Sequence, residues 1–411
     1  MYWEKLSHDE ITAHIDSALE QNMNYKTKKI LGVPASYLDE EQFYDDAPFL
    51  EDSPFMKTLI ANPNHIGCHT LNEDSEPFFK GTQKIEIELI KLCAEEILGG
   101  DKDAQDGYVA SGGTEANIQA QWIYRNYFIK ECGAKMDEIA VVYSEDSHYS
   151  MPKGANILNI PSVVLKVDDD SRMILQSDLE QKISGAKQNG IKYFILIMNM
   201  STTMFGSVDD IIRISDYFEE NEINYKLHVD GAFGGFIYPF TNEESSYTFK
   251  NNRISSFTLD GHKMLQTPYG TGIFIIRKGF MEYALTEEAS YVQGKDYTMC
   301  GSRSGANAIS IWMILKTHGS DGLKVKMRNL SDKAKSLCKK LKKLEIELYH
   351  NSHINIIAIR GKYISPQLAK KYALVPDTHN SNPNWYKIVI MDHVKQGVLD
   401  NFMIDLKSSL Q

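Results

Sequence analysis

The chain has 411 residues, with 44 Lys+Arg against 55 Asp+Glu and a net charge of −11. Hydrophobic residues make up 42% and charged residues 24%, which suits a globular enzyme with one large and one small domain. The acidic balance argues against nucleic acid as a partner, and with no apolar run of membrane-spanning length and no apolar leader, a cytoplasmic protein without membrane contact is expected.

Residues 1–60 are a mixed, acidic N-terminal segment, where Asp9-Glu10-Ile11 opens an expected helix. Residues 61–285 carry the main pattern, and 286–411 a smaller unit. Gln83–Leu98 has apolar residues at helical spacing and is closed by Gly99-Gly100. Short apolar runs then recur at 139–143, 162–167, 193–198, 225–230, 255–259 and 272–276. Helical stretches such as Leu179–Lys187 and Val208–Glu219 lie between them. Near-continuous apolar strands between helices predict an α/β fold with a mainly parallel sheet covered on both faces. Ligands of such sheets sit in the loops at the carboxyl ends of strands. Further on, Ala306–Leu315 and Leu330–Leu344 read as helices, 354–359 and 386–391 as strands, and Val398–Leu410 as a closing helix. That pattern predicts a small α+β C-terminal domain.

Asp230 ends the run Leu227-His228-Val229-Asp230, and Lys263 follows Phe257–His262. A carboxylate at a strand end needs a cation or a hydrogen-bond donor. A lysine partly shielded from water has a lowered pKa and gains nucleophilicity. Together they supply what pyridoxal phosphate needs: an amine for its aldehyde and a carboxylate for its pyridinium nitrogen. Taken singly, Asp230 also reads as half of a salt bridge to an arginine, and a lone lysine such as Lys263 is more often a surface residue.

Ser111-Gly112-Gly113-Thr114-Glu115-Ala116-Asn117 precedes a helix. It either cradles a phosphate or is a tight turn capped by Thr114. His148 follows a strand; its ring can stack on a flat ligand or only bond its neighbours. Asn199–Ser207 is a polar site or a plain turn. Gly231-Ala232 is small enough for a flat ring to lie against Ala232, and Asp260 and His262 can reach a phosphate. The five cysteines are odd in number and lack metal-ligand spacing, so reduced thiols and no metal are expected. Cys300 is assigned a packing role.

In order, these residues are a phosphate cradle, a histidine, a strand-end aspartate and a His-Lys pair. They resemble the group II pyridoxal-phosphate-dependent decarboxylases of fold type I. The resemblance is nearest to the archaeal tyrosine/aspartate decarboxylases and the bacterial pyridoxal-dependent histidine decarboxylases. It runs from about Pro77 to the C-terminus. His228–Phe236 and Asp260–Met264 carry it, and Cys300–Gly305 supports it. Gly231 departs from the family's usual His-Val-Asp-Ala-Ala.

The resemblance implies a seven-stranded sheet and a homodimer with its active site at the subunit interface. It implies that Lys263 holds the cofactor covalently, and that Asp230 pairs with the pyridine nitrogen. His148 and Ala232 would lie on opposite ring faces. Gly113, Thr114, Asp260 and His262 would surround the phosphate, with Thr203 near the cofactor's edge. Tyr291, in a loop after the lysine strand, would protonate Cα, with Tyr297 as the second choice. His65, His69 and Thr70 are expected on the substrate side. The implied reaction removes the carboxylate of a small acidic or aromatic amino acid as CO2, leaving an amine or β-amino acid. A carbon–carbon lyase of the sphingosine-phosphate type shares the Gly-Ser-Arg turn. A decarboxylating oxidase, in which the loop tyrosine is typically replaced, is the other alternative.

Overall fold

A computed structural model describes residue 9 and residues 29–32, 58–59, 61–68, 79–242, 245–285 and 295–410 of the chain. Its centre is a seven-stranded sheet in the order 105–110, 272–277, 254–260, 224–231, 193–199, 139–144, 162–165. The last five of these are mutually parallel, and 272–277 runs antiparallel to both its neighbours.

The near-continuous apolar runs are explained by burial on both faces. In strand 139–144, Ala140 and Val142 face one core while Ile139, Val141 and Tyr143 face the other. Strand 193–199 divides likewise, Phe194, Leu196 and Met198 against Ile195 and Ile197. With a side-chain period of two, both sets must be apolar when helices cover both faces. Helix Gly113–Cys132 covers one face with Ala116, Ala120, Ile123 and Tyr124. Helices Gln176–Gln188 and Ile211–Glu220 cover the other, through Leu179, Ile183, Ile214 and Phe218.

Strand 105–110 (Gln-Asp-Gly-Tyr-Val-Ala) lacks an apolar run and gives no strand signal in sequence. It is held by antiparallel pairing of all six residues with 272–277. A Cβ on Gly107 would fall 2.3 Å from the Phe274 carbonyl, so the close pairing requires glycine.

The two helices expected at 306–315 and 330–344 are found end to end over Gly305–Lys342, meeting at a kink at Gly319, whose φ 61 and ψ 177 are not helical. The stretch Gly305–Lys342 packs on the large sheet before the kink through Ala308, Ile311 and Ile314. Its second part packs through Ala334, Leu337 and Leu341 on a four-stranded antiparallel sheet, order 348–349, 356–360, 385–389, 375–376. Helix Gln396–Ser409 closes that sheet with Leu399, Phe402 and Leu406. Among the described residues no helix is long and apolar enough to cross a membrane.

The predicted consequence of the tight pairing is specific. Gly107→Ala should lower the unfolding free energy by about 1–3 kcal/mol, as overpacking does, read from urea denaturation.

Candidate active site

The carboxyl ends of the parallel strands meet the amino end of helix Gly113–Cys132, and a cavity of about 310 Å³ lies between them. Ser111–Glu115, Asn117, His148, Tyr149, Asn199, Ser201–Thr203, Asp230, Ala232, Phe233, Asp260, His262 and Lys263 line it.

Asp260 ends its strand and Lys263 sits in the single helical turn Gly261–Met264. That spacing sets Lys263 Nζ 2.9 Å from Asp260 Oδ2. Burial pulls the Lys263 pKa down. The charge and hydrogen bond of Asp260, joined by the charge of Asp230, outweigh it and leave the pKa above the usual lysine value. The expected depression of this lysine is thus corrected: carboxylates in the same cavity stabilise its ammonium form.

His262 Nε2 lies 3.6 Å from Asp260 Oδ2, and its ring packs on Tyr269 at 4.9 Å between centroids. Burial lowers the His262 pKa. Asp260 Oδ1 and His262 Nδ1 are buried and have no hydrogen-bond partner among the described residues. Buried polar atoms are normally satisfied, so two orphans on one cavity wall mark a place for a polar ligand.

Thr114 does not cap the helix. The helix begins at Gly113, follows Gly112 and has no side-chain cap, so its first N–H groups are free for an anion. A Cβ on Gly113 would lie 3.0 Å from Asp260 Oδ2 and 3.1 Å from the Ala232 Cβ. Glycine lets this helix start approach both strand ends.

Asp230 pairs in register with Asn199 on one side and Thr258 on the other. Its Oδ2 accepts from Asn117 Nδ2 at 3.0 Å, and its Oδ1 accepts from the Ala232 N–H at 3.1 Å. Because a carboxylate only accepts, Asn117 must turn Nδ2 toward it and Oδ1 toward His228. His228 Nε2 therefore carries a proton and donates to Asn117 Oδ1 at 3.0 Å. His228 Nδ1 then accepts from Ser256 Oγ at 2.6 Å, and Tyr124 closes the chain by bonding Ser256. Burial depresses the His228 pKa to about 4, with the charge of Asp230 opposing, so this ring is neutral.

His148 lines the same cavity. Its Nδ1 accepts from the Ser150 N–H at 3.2 Å and lies 2.9 Å from Ser150 Oγ. Its ring packs on Tyr149 with centroids 4.0 Å apart. Burial lowers its pKa; the charge of Asp230 opposes this and that of Lys263 adds to it.

The structure does not bring His65 into the cavity. His65 is fully buried, with Nδ1 2.9 Å from Glu86 Oε2 and Nε2 2.8 Å from Thr82 Oγ1. Glu86 also pairs with Arg303; burial pushes its carboxyl pKa up, but the charge of Arg303 and the hydrogen bond from His65 outweigh this and hold it well below the usual range. Tyr297 is buried in the core beside Tyr108, away from the cavity wall. His69, Thr70 and Tyr291 lie outside the described residues. Cys300 is exposed rather than packed.

Four further residues complete the site. Asn117 stands one turn after Gly113, and that i,i+4 spacing was the available signal. Asn199 donates both its N–H and Nδ2 to Asp209 Oδ2, each at 2.7 Å. Burial raises the Asp209 pKa to about 7. Ser201 was signalled only as part of the polar stretch Asn199–Ser207, and Lys387 had no local signal; Lys387 arrives from the small sheet, where it donates to the Thr203 carbonyl at 3.0 Å.

The pyridoxal-dependent decarboxylase conserved domain matches residues 8–362. A tryptophan decarboxylase of Clostridium sporogenes is 48% identical over 406 residues, covering 99% of this chain and 97% of that protein. An L-aspartate decarboxylase of Thermococcus kodakarensis is 29% identical over 409 residues, covering 98% and 97%. Among solved structures, a sphingosine-1-phosphate lyase of Burkholderia pseudomallei superposes with a TM-score of 0.80 at 16% identity, covering 100% and 92%. An L-methionine decarboxylase of Streptomyces sp. 590 gives 0.78 at 18%, covering 98% and 96%. At these identities the structural likeness is one of fold.

Two measurements probe the buried network. Asn117→Leu takes the amide donor from Asp230 Oδ2 and leaves His228 Nε2 only Thr258 Oγ1 at 3.0 Å, and should cost about 1–3 kcal/mol of unfolding free energy in urea. The second concerns pH. His228 takes up its proton near pH 4 when folded, below its ordinary value of 6.5. Between those values the unfolded chain binds more protons, so the His228 contribution to stability falls as pH drops from about 6.5 to about 4. In His228→Gln the urea midpoint should decline less steeply through that window.

Proposed function

Because the chain belongs to the pyridoxal-dependent decarboxylase family and is a pyridoxal-phosphate-dependent amino-acid decarboxylase, we propose that its substrate is an aromatic L-amino acid, tryptophan first. It would release CO2 and the corresponding amine. The observation that carries the substrate is the 48% identity to a tryptophan decarboxylase across 99% of the chain. An acidic substrate is the second reading, supported by the 29% identical L-aspartate decarboxylase that spans nearly the same length.

Pyridoxal phosphate, when bound, takes up the electron pair left on Cα as CO2 departs. The residues of the cavity fit this group. Lys263 would hold it through Nζ, which Asp260 keeps in place at 2.9 Å. Asp230 would receive the pyridine nitrogen, its two oxygens already aimed by Asn117 and the Ala232 N–H. His148 and Ala232 would flank the ring. Gly113, Thr114 and His262 would contact the phosphate at the uncapped helix start, with Asp260 bordering it, and the orphaned His262 Nδ1 supports an anion there. Thr203 would stand at the ring's edge. Tyr291 would deliver the proton to Cα.

The same reading includes a homodimer that completes the active site and a cytoplasmic location. The five cysteines support the latter, since all are free thiols. A solution mass of twice the 46.7 kDa chain tests the former.

CO2 release across a panel of amino acids decides the substrate. L-Tryptophan should give the highest kcat/KM, and a preference for L-aspartate would move the assignment to the second reading. Lys263→Ala should lose both CO2 release and the absorbance band of the lysine-bound cofactor; retention of both would sink the proposal. Tyr291→Phe should keep the band while amine formation slows by about 10²–10⁴-fold.

A further inference from the structure

Ser201, in the Asn199–Ser207 loop, has φ 81. Eight other non-glycine residues among the described ones have positive φ, and all lie between 46 and 58, in the ordinary left-handed well. Ser201 lies outside that well, where a Cβ is strained and glycine would be relaxed. Its neighbours hold it there. The Met200 N–H donates to the Asp230 carbonyl at 2.8 Å, and the Met200 carbonyl accepts from the Gly234 N–H at 3.1 Å. A Cβ on Gly234 would fall 2.0 Å from that carbonyl, so the two backbones meet closely. On the other side, the Thr202 N–H donates to the Ser207 carbonyl and the Thr202 carbonyl accepts from the Gly206 N–H, each at 2.9 Å.

The side chain adds a second cost. Ser201 is buried, lines the cavity, and its Oγ has no hydrogen-bond partner among the described residues. Other buried polar side chains of the loop are committed. Asn199 Nδ2 donates to Asp209 Oδ2 at 2.7 Å and to Ser147 Oγ at 2.8 Å, and Thr202 Oγ1 and Ser207 Oγ bond each other at 2.7 Å. Glycine at 201 would remove both the strain and the orphaned hydroxyl. A serine that opposes folding twice over, on a cavity wall, is explained by a ligand that uses its hydroxyl.

We propose that Ser201 Oγ donates a hydrogen bond to the phenolic oxygen of pyridoxal phosphate. This rests on the cofactor placement given above, with the pyridine nitrogen at Asp230 and the phosphate at the helix start. The sheet order then decides which ring edge Ser201 meets. Gly113, Thr114 and His262 follow strands 105–110 and 254–260, on one side of the strand that bears Asp230. Ser201 follows strand 193–199, its neighbour on the other side. Pyridoxal phosphate carries its phosphate arm on one ring edge, and its methyl group and phenolic oxygen on the opposite one. Of those two only the oxygen can bond a hydroxyl. Thr203, placed at the same edge, is exposed, so Ser201 supplies the donor that is shielded from water. A hydrogen bond donated to this oxygen favours its negatively charged form. Without it the oxygen is more basic, and the lysine-bound cofactor keeps its proton to a higher pH.

The test compares the wild-type chain with Ser201→Ala and Ser201→Gly. Each apo-protein is titrated with pyridoxal phosphate and with 3-deoxypyridoxal phosphate, which lacks the phenolic oxygen. Each holoenzyme is followed by absorbance across pH. Both variants should bind pyridoxal phosphate about tenfold more weakly than wild type. Both should bind the 3-deoxy analogue within about twofold of wild type, because the bond is already missing there. Their absorbance titrations should move to higher pH. Neither apo-protein should melt below wild type, since each loses an unsatisfied buried hydroxyl and glycine also relieves the strain. Equal losses for the two ligands, no loss for either, or an unmoved absorbance titration would overturn the proposal. So would an apo Ser201→Ala that melts below wild type, which would make the hydroxyl a structural group. A wild-type chain that forms no absorbance band with pyridoxal phosphate would refute the cofactor placement itself, a result distinct from all of these.

Discussion

The amide of Asn117 joins Asp230 to His228, donating to one and accepting from the other. Three elements meet in that one side chain: helix Gly113–Cys132, the strand that bears Asp230 and His228, and, through Ser256, the strand that leads to Lys263. The polar chain is buried, so each member must find its partner. Its geometry then sets the distance between the helix start and the strand ends, which is the dimension the cavity needs. The neutral state of His228 follows from the same burial and fixes the direction of every hydrogen bond in the chain.

Charge in the cavity is arranged around Lys263. Asp260 contacts it directly and Asp230 acts at longer range, so the protein holds an ammonium between two carboxylates. Asp260 is tied to Lys263 through one oxygen, while its other oxygen and His262 Nδ1 have no hydrogen-bond partner among the described residues. A fold that leaves such atoms buried accepts a cost in stability for a prepared site. The uncapped start of the helix at Gly113 is the same kind of feature, a set of backbone donors withheld from a side-chain cap.

Much of the site was legible in sequence because its members end strands or begin helices. Asp230 and Lys263 each close an apolar run, and Gly112-Gly113 precedes a helix. On a parallel sheet those positions converge at one edge without further information. His148 was legible for the same reason. Asn117 was half-legible, within the quoted segment yet without a role, because its partner His228 is brought near only by packing of the helix on the sheet. His65 misled, since a histidine in an irregular stretch looks the same whether it faces a cavity or is buried against Glu86. Lys387 could not be read at all: its strand belongs to the other sheet, and only the approach of that sheet carries its ammonium to Thr203.

The sequence by itself determined the alternation of strands and helices, the burial of both sheet faces, and the chemistry at the strand ends. These follow from side-chain period and from short-range order along the chain. Tertiary structure decided what depends on contacts between distant segments. It paired strand 105–110, whose composition has no strand signal, with the distant strand 272–277. It kinked the chain at Gly319 between two successive helices, the first packed on the large sheet and the second reaching from that core to the small sheet. It raised the pKa of Lys263 where partial burial alone would have lowered it, since the sign of that shift depends on which carboxylates the fold sets beside the amine.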